Sequence, residues 1–449
     1  MKNSRSVWHP NTQMSEWSKF PEIVSAKGMW LYDSSGGKML DGVASMWCNV
    51  WGHSKPELVS EIIKQSKTLQ HCSLFNLTHN PAEKLSKKLL KLNPKMGSVF
   101  FSDNGSTAME ISIKLALQYW RNIGEGKKTN VATLENGYHG DTFGAMSVGY
   151  MPDFFSKFRS KLFSSIQFSV PRSFRIPENM SPKEYNEQCI EKIEKRLESD
   201  NSIAVFVMES GAQMAGGVII YPKNFQKRIA KICKKNNVLL VLDEIATGFG
   251  RLGSMIEYES QNSIPDIVSF GKMITGGYQT FAATLSTKKI TNSFLGEFSQ
   301  MKHLFHGHTY TGNPTAAALS LKNLELYKKY NLIKKIQNTS KIFKERAEEI
   351  SNLDLVGDIR YKGMVMGIEL VKNKTSNKPV TFSQSINKVV FEEGRKNNIY
   401  FRTLGNIIML VPPLAISQKD LNFLIDGTIK TIKSLSGCLL YTSPSPRDS

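Results

Sequence analysis

Five cysteines in 449 residues, at positions 48, 72, 189, 233 and 438, show no CxxC or other paired spacing. Neither a metal-ligand set nor a disulfide framework is therefore written into the chain, and a reducing compartment is expected. Long apolar runs are also missing: nothing approaches the ~18 consecutive residues that a membrane-crossing helix needs. The opening MKNSRSVWHPNTQM has no apolar core of signal-peptide type, so the expectation is a cytoplasmic chain with no membrane partner. Acidic residues are few, 39 Asp and Glu against 58 Lys and Arg, for a formal net charge of +19. Such a balance can serve nucleic acid or an anionic surface. Here the lysines are scattered (84, 87, 88, 91; 231, 234, 235; 328, 329, 334, 335) among Glu, Asn and Ser on what read as outer helix faces. They make no basic stripe interleaved with aromatics, and no nucleic-acid partner is expected; a basic nucleic-acid binder would instead show steep salt dependence.

What is present is organised around residues 238–272. The run VLLVL at 238–242 is too short for a typical helix and rich in branched residues, which reads as a strand buried on both faces of a parallel sheet. It ends at Asp243. A second run, DIVSF at 266–270, ends at Gly271-Lys272. Two buried strands then deliver an acid and an amine to the carboxyl edge of one sheet, where open α/β sheets bind ligands. A desolvated lysine there is a nucleophilic amine able to form a Schiff base, and a neighbouring acid suits a protonated pyridine nitrogen. That is the pairing a pyridoxal phosphate (PLP) enzyme needs; a solvated or salt-bridged Lys and Asp is the plainer alternative.

Along the chain, residues 28–33 and 38–41 read as a hairpin, followed by an aromatic cluster of Trp47, Trp51 and His53 that serves either packing or a substrate wall. Residues 57–69 and 82–92 read as amphipathic helices. A strand at 99–101 leads through Ser102-Asp103-Asn104-Gly105-Ser106-Thr107 into a helix, which makes either an anion site or an ordinary cap. Strands are expected at 130–134, before NGYHGDT, and at 203–208, before Glu209. Residues 225–235 read as a helix. GFGRLG at 248–253 matches GxGxxG but stands too far from its strand to be a dinucleotide fingerprint, so a nicotinamide dehydrogenase is disfavoured. His303, His306 and His308 tempt a metal reading, yet no Cys lies close, and a His-x-His without a defined third ligand is more often structural. Helices follow from 314, at 332–350 and at 383–397, with strands at 364–370 and 407–411. Arg402, after a strand at 399–401, is shaped either for a bidentate carboxylate or for a surface salt bridge. The expected division is 1–60, the N-terminal part of a smaller domain; 61–325, a large domain; 326–436, the rest of the smaller one; and 437–449, a non-native or disordered tail.

Taken together, WHPNTQM (8–14), FSDNGSTAMEISIKLALQYW (101–120), NGYHGDTFGAMSVG (136–149), LDEIATGFGRLG (242–253), GKMITGG (271–277) and HGHTYTGNP (306–314) resemble the class III aminotransferases of PLP fold type I. The likeness covers the chain to about residue 435. It implies an α/β fold, with a large, mostly parallel sheet flanked by helices and a smaller α+β domain, and a homodimer whose active site lies at the subunit interface. The combination of WHP with HGHTYTGNP resembles the branch that aminates 7-keto-8-aminopelargonate to 7,8-diaminopelargonate in biotin synthesis. An ω-amino acid:pyruvate transaminase is the alternative. By this resemblance Lys272 carries PLP and moves the proton, Asp243 holds the pyridine nitrogen protonated, and Tyr138 covers the ring. Gly105, Ser106 and Thr107 bind the phosphate, Thr309 reaches the neighbouring subunit's phosphate, and Glu209 and His139 support the ring's surroundings. Trp47, Tyr138, Lys272, Gly307 and Arg402 contact substrate, Arg402 through its carboxylate. Asn11 stands where the family often has an aromatic, and Met46 where it has the first Trp of a pair. Both departures bear on the donor, S-adenosylmethionine being the usual one and lysine the alternative.

Overall fold

In the computed structural model of the chain, residues 6–17, 20–375, 377–380 and 386–440 are described below. The central element is a seven-stranded sheet with the spatial order Met96–Ser102, Ala282–Thr287, Ile267–Phe270, Leu239–Asp243, Ile203–Glu209, Asn130–Leu134, Ile166–Phe168. Ala282–Thr287 runs antiparallel to both neighbours and the remaining pairings are parallel. The unbroken apolar runs are explained by burial on two sides. Leu239 and Val241 pack toward the helix Gly105–Asn122 with Met109, Ile113 and Trp120, while Leu240 and Leu242 face the helix Phe225–Lys235 with Phe225, Ile229 and Ile232. Alternation along a strand puts successive residues on opposite faces, and each fully buried Leu or Ile contributes ~1.5–3 kcal/mol.

Among the described residues a short hairpin of Ala212–Gln213 with Ile219–Ile220 and two four-stranded sheets lie beside the central sheet. One joins Ile23–Lys27, Trp30–Asp33 and Lys38–Asp41 to Ile399–Tyr400, so the first and last parts of the chain share a sheet. The other is antiparallel, ordered Val356–Lys362, Val365–Leu370, Ile407–Leu410, Arg402–Leu404. Among the described residues no helix is long and apolar enough to cross a membrane.

Several elements depart from expectation. The helix expected over 332–350 is two, Leu332–Thr339 and Lys341–Ser351, broken at Ser340. There a β-branched Thr339 precedes a serine whose hydroxyl bonds back to the Gln337 carbonyl at 3.3 Å, a local bond that competes with the helical ladder. The helix Gln418–Leu440 continues through 437–440, four residues expected to lack structure; once a helix is nucleated, adding a residue costs little. Residues 441–449 of that expected tail and 383–385 of the expected helix lie outside the described residues.

Candidate active site

Asp243 ends the central strand in register with Glu209 on one side and Ser269 on the other. Its side chain is 4% exposed, and a buried carboxylate is stable only when its oxygens are occupied. Oδ1 accepts the Ile245 N–H at 2.9 Å and Oδ2 lies 2.9 Å from His139 Nδ1. His139 is itself buried, with no protein partner for Nε2 among the described residues. The pair fixes the acid's direction and the imidazole's tautomer together. Glu209 accepts the N–H groups of Tyr138 at 3.2 Å and Met214 at 2.9 Å, and burial pushes its carboxyl up to about 7.

Lys272 begins the short 3₁₀ turn Lys272–Thr275 directly after Gly271, with φ +41°. A left-handed lysine is uncommon and belongs to sites where the surroundings force it. Its ammonium lies 5.6 Å from the centre of the Trp47 ring. Burial lowers the pKa of this amine, while the nearby Asp243 and Glu209 charges pull it back up. The result is a more nucleophilic amine than an exposed lysine. Tyr138 is held protonated above its ordinary range, first by burial and then by the Asp141 charge.

At the other end of the site, the helix Gly105–Asn122 opens with a capping box. Asn104 Oδ1 accepts the Thr107 N–H at 3.1 Å, and the Thr107 hydroxyl donates to the Asn104 carbonyl at 2.8 Å. The Thr107 side chain is thereby committed to the cap, and the N–H groups of Gly105 and Ser106 are left as the helix's anion-facing donors. The backbone approaches closely here. A Cβ on Gly105 would sit 2.8 Å from Ile245 Cγ2, and one on Gly140, at φ +127°, would sit 2.1 Å from Ser106 Oγ.

These residues meet in one cavity of about 480 Å³, lined among others by Trp47, Gly105, Ser106, Tyr138, His139, Glu209, Asp243 and Lys272. Trp47, Tyr138 and Lys272 also line a second cavity of about 720 Å³, which reaches Asn11, Met46 and Arg402. Arg402 Nη1 lies 3.9 Å from Met46 Sδ, and its buried Nε has no partner among the described residues. Gly307 and Thr309 are exposed and line neither cavity. The adjacent His308 approaches within 3.3 Å of Asp103, which does line the first. The three histidines go separate ways: His303 stacks on Phe298, His306 lies 3.1 Å from Lys114, and His308 faces Asp103.

Sequence reasoning missed several lining residues. Cys48 lines the first cavity, and Met146, Phe154 and Phe155 the second. The loop with Asn104 and the Gly-bracketed turn with Asp141 are legible in the sequence; the PDFF segment at 152–155 carries no such signal. The set fits pyridoxal phosphate. It offers an anion cradle with no room for a Cβ at Gly105 or Gly140, a buried acid braced by His139, and an amine of lowered basicity in the same cavity.

The family model described as Aminotransferase class-III matches residues 14–432. The adenosylmethionine-8-amino-7-oxononanoate aminotransferases of Geobacter sulfurreducens and Staphylococcus aureus are 39% and 40% identical, over 96% and 94% of this chain and 97% and 95% of theirs. The crystal structure of the enzyme so named from Methanocaldococcus jannaschii superposes with a TM-score of 0.88 at 38% identity, covering 96% of this chain and 97% of that one. An amine transaminase from an uncultivated Pseudomonas species, solved in a PLP-bound form, gives 0.90 at 29% identity, covering 97% and 100%. With the sheet-edge acid and lysine, the glycine cradle and a match spanning nearly its whole length, the chain belongs to the class-III aminotransferase family.

Proposed function

We propose that this chain is a PLP-dependent transaminase that converts 8-amino-7-oxononanoate to 7,8-diaminononanoate in biotin synthesis, with S-adenosylmethionine as amino donor. The observation that carries the reading is a pair of cavities that share Trp47, Tyr138 and Lys272 in their linings. One reaches the Gly105-Ser106 cradle and the other Arg402, which makes no ion pair among the described residues. When bound, PLP supplies an electron sink that keeps the amino group between donor and acceptor. The chain's own residues do the rest. Gly105 and Ser106 would hold the phosphate through N–H groups, Asp243 would face the ring nitrogen, and His139, 2.9 Å from Asp243 Oδ2, keeps that acid aimed. Tyr138 would cover the ring face, and Lys272 Nζ would be the point of attachment. As a free amine of lowered basicity, Lys272 is placed to take a proton from the donor's amine-bearing carbon and to give one to the acceptor's. Arg402 grips the acceptor carboxylate.

The enzyme works, on this reading, in the cytoplasm as a homodimer. Support for the dimer comes from exposed Phe298, Phe305 and Tyr310 around Gly307 and Thr309, an apolar surface suited to a partner subunit. Residues 61–325 are taken as the cofactor-binding domain and 1–60 with 326–436 as the smaller one. The decisive experiment is the visible absorbance of the purified, PLP-loaded protein before and after S-adenosylmethionine or lysine is added separately, with a Lys272→Ala control. Bleaching by S-adenosylmethionine alone, followed by recovery on adding 8-amino-7-oxononanoate, is expected. Bleaching by lysine alone reassigns the donor, and a band that neither amine changes overturns the substrate assignment.

A further inference from the structure

The backbone is left-handed over four consecutive residues that all carry a Cβ. The φ angles are +47° at Ala44, +46° at Ser45, +84° at Met46 and +72° at Trp47. L-residues visit this region singly, because Cβ is driven against the following carbonyl; runs are rare. No glycine relieves the strain within the run. The turn closes with N–H bonds from Met46 and Trp47 to the Val43 carbonyl, at 3.1 and 2.8 Å, and from Cys48 to the Ala44 carbonyl at 3.1 Å. These satisfy donors without selecting the hand of the turn.

Asp41, fully buried at the end of the strand Lys38–Asp41, bonds directly into the turn. Its Oδ1 accepts the Ser45 N–H at 2.9 Å and its Oδ2 accepts the Ser45 hydroxyl at 2.7 Å. His53 Nε2 stands 3.1 Å from the same Oδ2. One carboxylate thus takes both hydrogen-bond donors of the second left-handed residue. The strand behind it is anchored in turn, since the Asp41 N–H reaches the Met29 carbonyl at 2.8 Å and the Gly42 N–H reaches the Tyr400 carbonyl at 3.1 Å.

What this turn presents is the wall between the two cavities. Trp47 lies over Lys272 and lines both, and Met46 lies against Arg402. Strained backbone persists where the structure over-determines it, and it gathers at sites where position matters. We propose that Asp41, which lines neither cavity, is a positioning residue for substrate: by clamping Ser45 it sets where Met46 and Trp47 stand between Lys272 and Arg402. The inference rests on the reading that substrates occupy the space between those two residues.

Asp41→Asn tests it, because the amide keeps the shape and an acceptor for the Ser45 N–H but loses the charge that strengthens both bonds to Ser45 and the contact with His53. The expected result is a fall in kcat/KM for 8-amino-7-oxononanoate of about ten- to a hundredfold, the cost of a misplacement of roughly 1 Å. The fall should come through KM, with kcat and the cofactor's visible band little changed. Adding Ala44→Gly, which permits φ > 0 without penalty, should recover most of the loss. A merely structural Asp41 would lower melting temperature, cofactor content and activity together, with no rescue by glycine. A second readout needs no substrate: the ¹³C-methyl resonance of Met46, assigned with Met46→Leu, should move in Asp41→Asn and return in the double variant. If the wild type is inactive on 8-amino-7-oxononanoate, the functional reading fails and the resonance alone decides this one. Wild-type KM in Asp41→Asn, an unmoved resonance, or a loss that glycine does not rescue overturns the proposal.

Discussion

Replacing Arg402 by alanine isolates the contact on which substrate recognition is argued to turn. Arg402 is half-buried, makes no ion pair among the described residues, and has already lost water from its buried Nε. A carboxylate arriving there completes a pair whose desolvation cost is partly met before it binds. Hydrogen bonds to charged groups contribute ~1.5–3 kcal/mol each way they are measured. Partial exposure of the guanidinium favours the lower end, about 1.5–2 kcal/mol, which is about 10- to 30-fold in a binding ratio. The assay compares kcat/KM for 8-amino-7-oxononanoate and its methyl ester in the wild type and in Arg402→Ala. The ester removes the ligand's charge and the variant removes the protein's, so the cycle reads the pairing and cancels unrelated damage. The wild type should prefer the acid by about 10- to 30-fold and the variant by less than about twofold. Arg402→Lys should fall between, keeping charge without the planar fork. A variant that still prefers the acid by the wild-type ratio refutes the assignment, because another cation would then hold the carboxylate.

Burial raises the Glu209 carboxyl from 4.5 to about 7, so the folded protein binds a proton there that the unfolded chain has released. The cofactor-free protein should therefore lose ~3 kcal/mol as pH rises from the unfolded value through the folded one. Glu209→Gln should flatten that slope in denaturation midpoints taken between about pH 5 and about pH 8, and an unchanged slope would count against the burial argument. Gly140→Ala places a Cβ 2.1 Å from Ser106 Oγ at φ +127°. It should cost about 2–4 kcal/mol in chemical denaturation and weaken PLP titration, whereas a change under about 0.5 kcal/mol would show that the cradle yields. Asp243→Asn keeps the strand end and its Ile245 bond but not the charge. It should reduce kcat at least about a hundredfold while PLP still binds, and wild-type turnover would remove Asp243 from the chemistry.

The parts of the fold that were legible are those where one physical signal dominates. The helix Phe225–Lys235 and the strand Asn130–Leu134 have the bounds expected from apolar periodicity. The delivery of Asp243 and Lys272 to one sheet edge followed from two apolar runs ending in polar residues. Ala282–Thr287 escaped notice because AATLST is small and polar, a composition tolerated where antiparallel neighbours and the helix Gly105–Asn122 cover it. The left-handed turn at Ala44–Trp47 could not be read, since alanine, serine, methionine and tryptophan announce nothing about φ. The buried carboxylate of Asp41, which accepts both the N–H and the hydroxyl of Ser45, looks in the sequence like any other aspartate. Gly307 and Thr309 rest on resemblance alone; both are exposed and line neither cavity.

The two halves of the site are built by different means, and this bears on how donor use can change. The cofactor end is made of strand termini, a helix start and glycines whose replacement would clash, so Asp243, Lys272, Gly105 and Gly140 have almost no freedom. The substrate end is made of Asn11, the turn bearing Met46 and Trp47, and the strand Arg402–Leu404, none of which belongs to the central sheet. A substitution at 11 or 46 alters the wall of the larger cavity without touching the acid, the amine or the cradle. Chemistry is therefore held by the central sheet and selectivity by segments outside it. It follows that exchange of Met46 for Trp should shift the ratio of activity between S-adenosylmethionine and lysine while the spectrum of the resting PLP-loaded protein stays as it was.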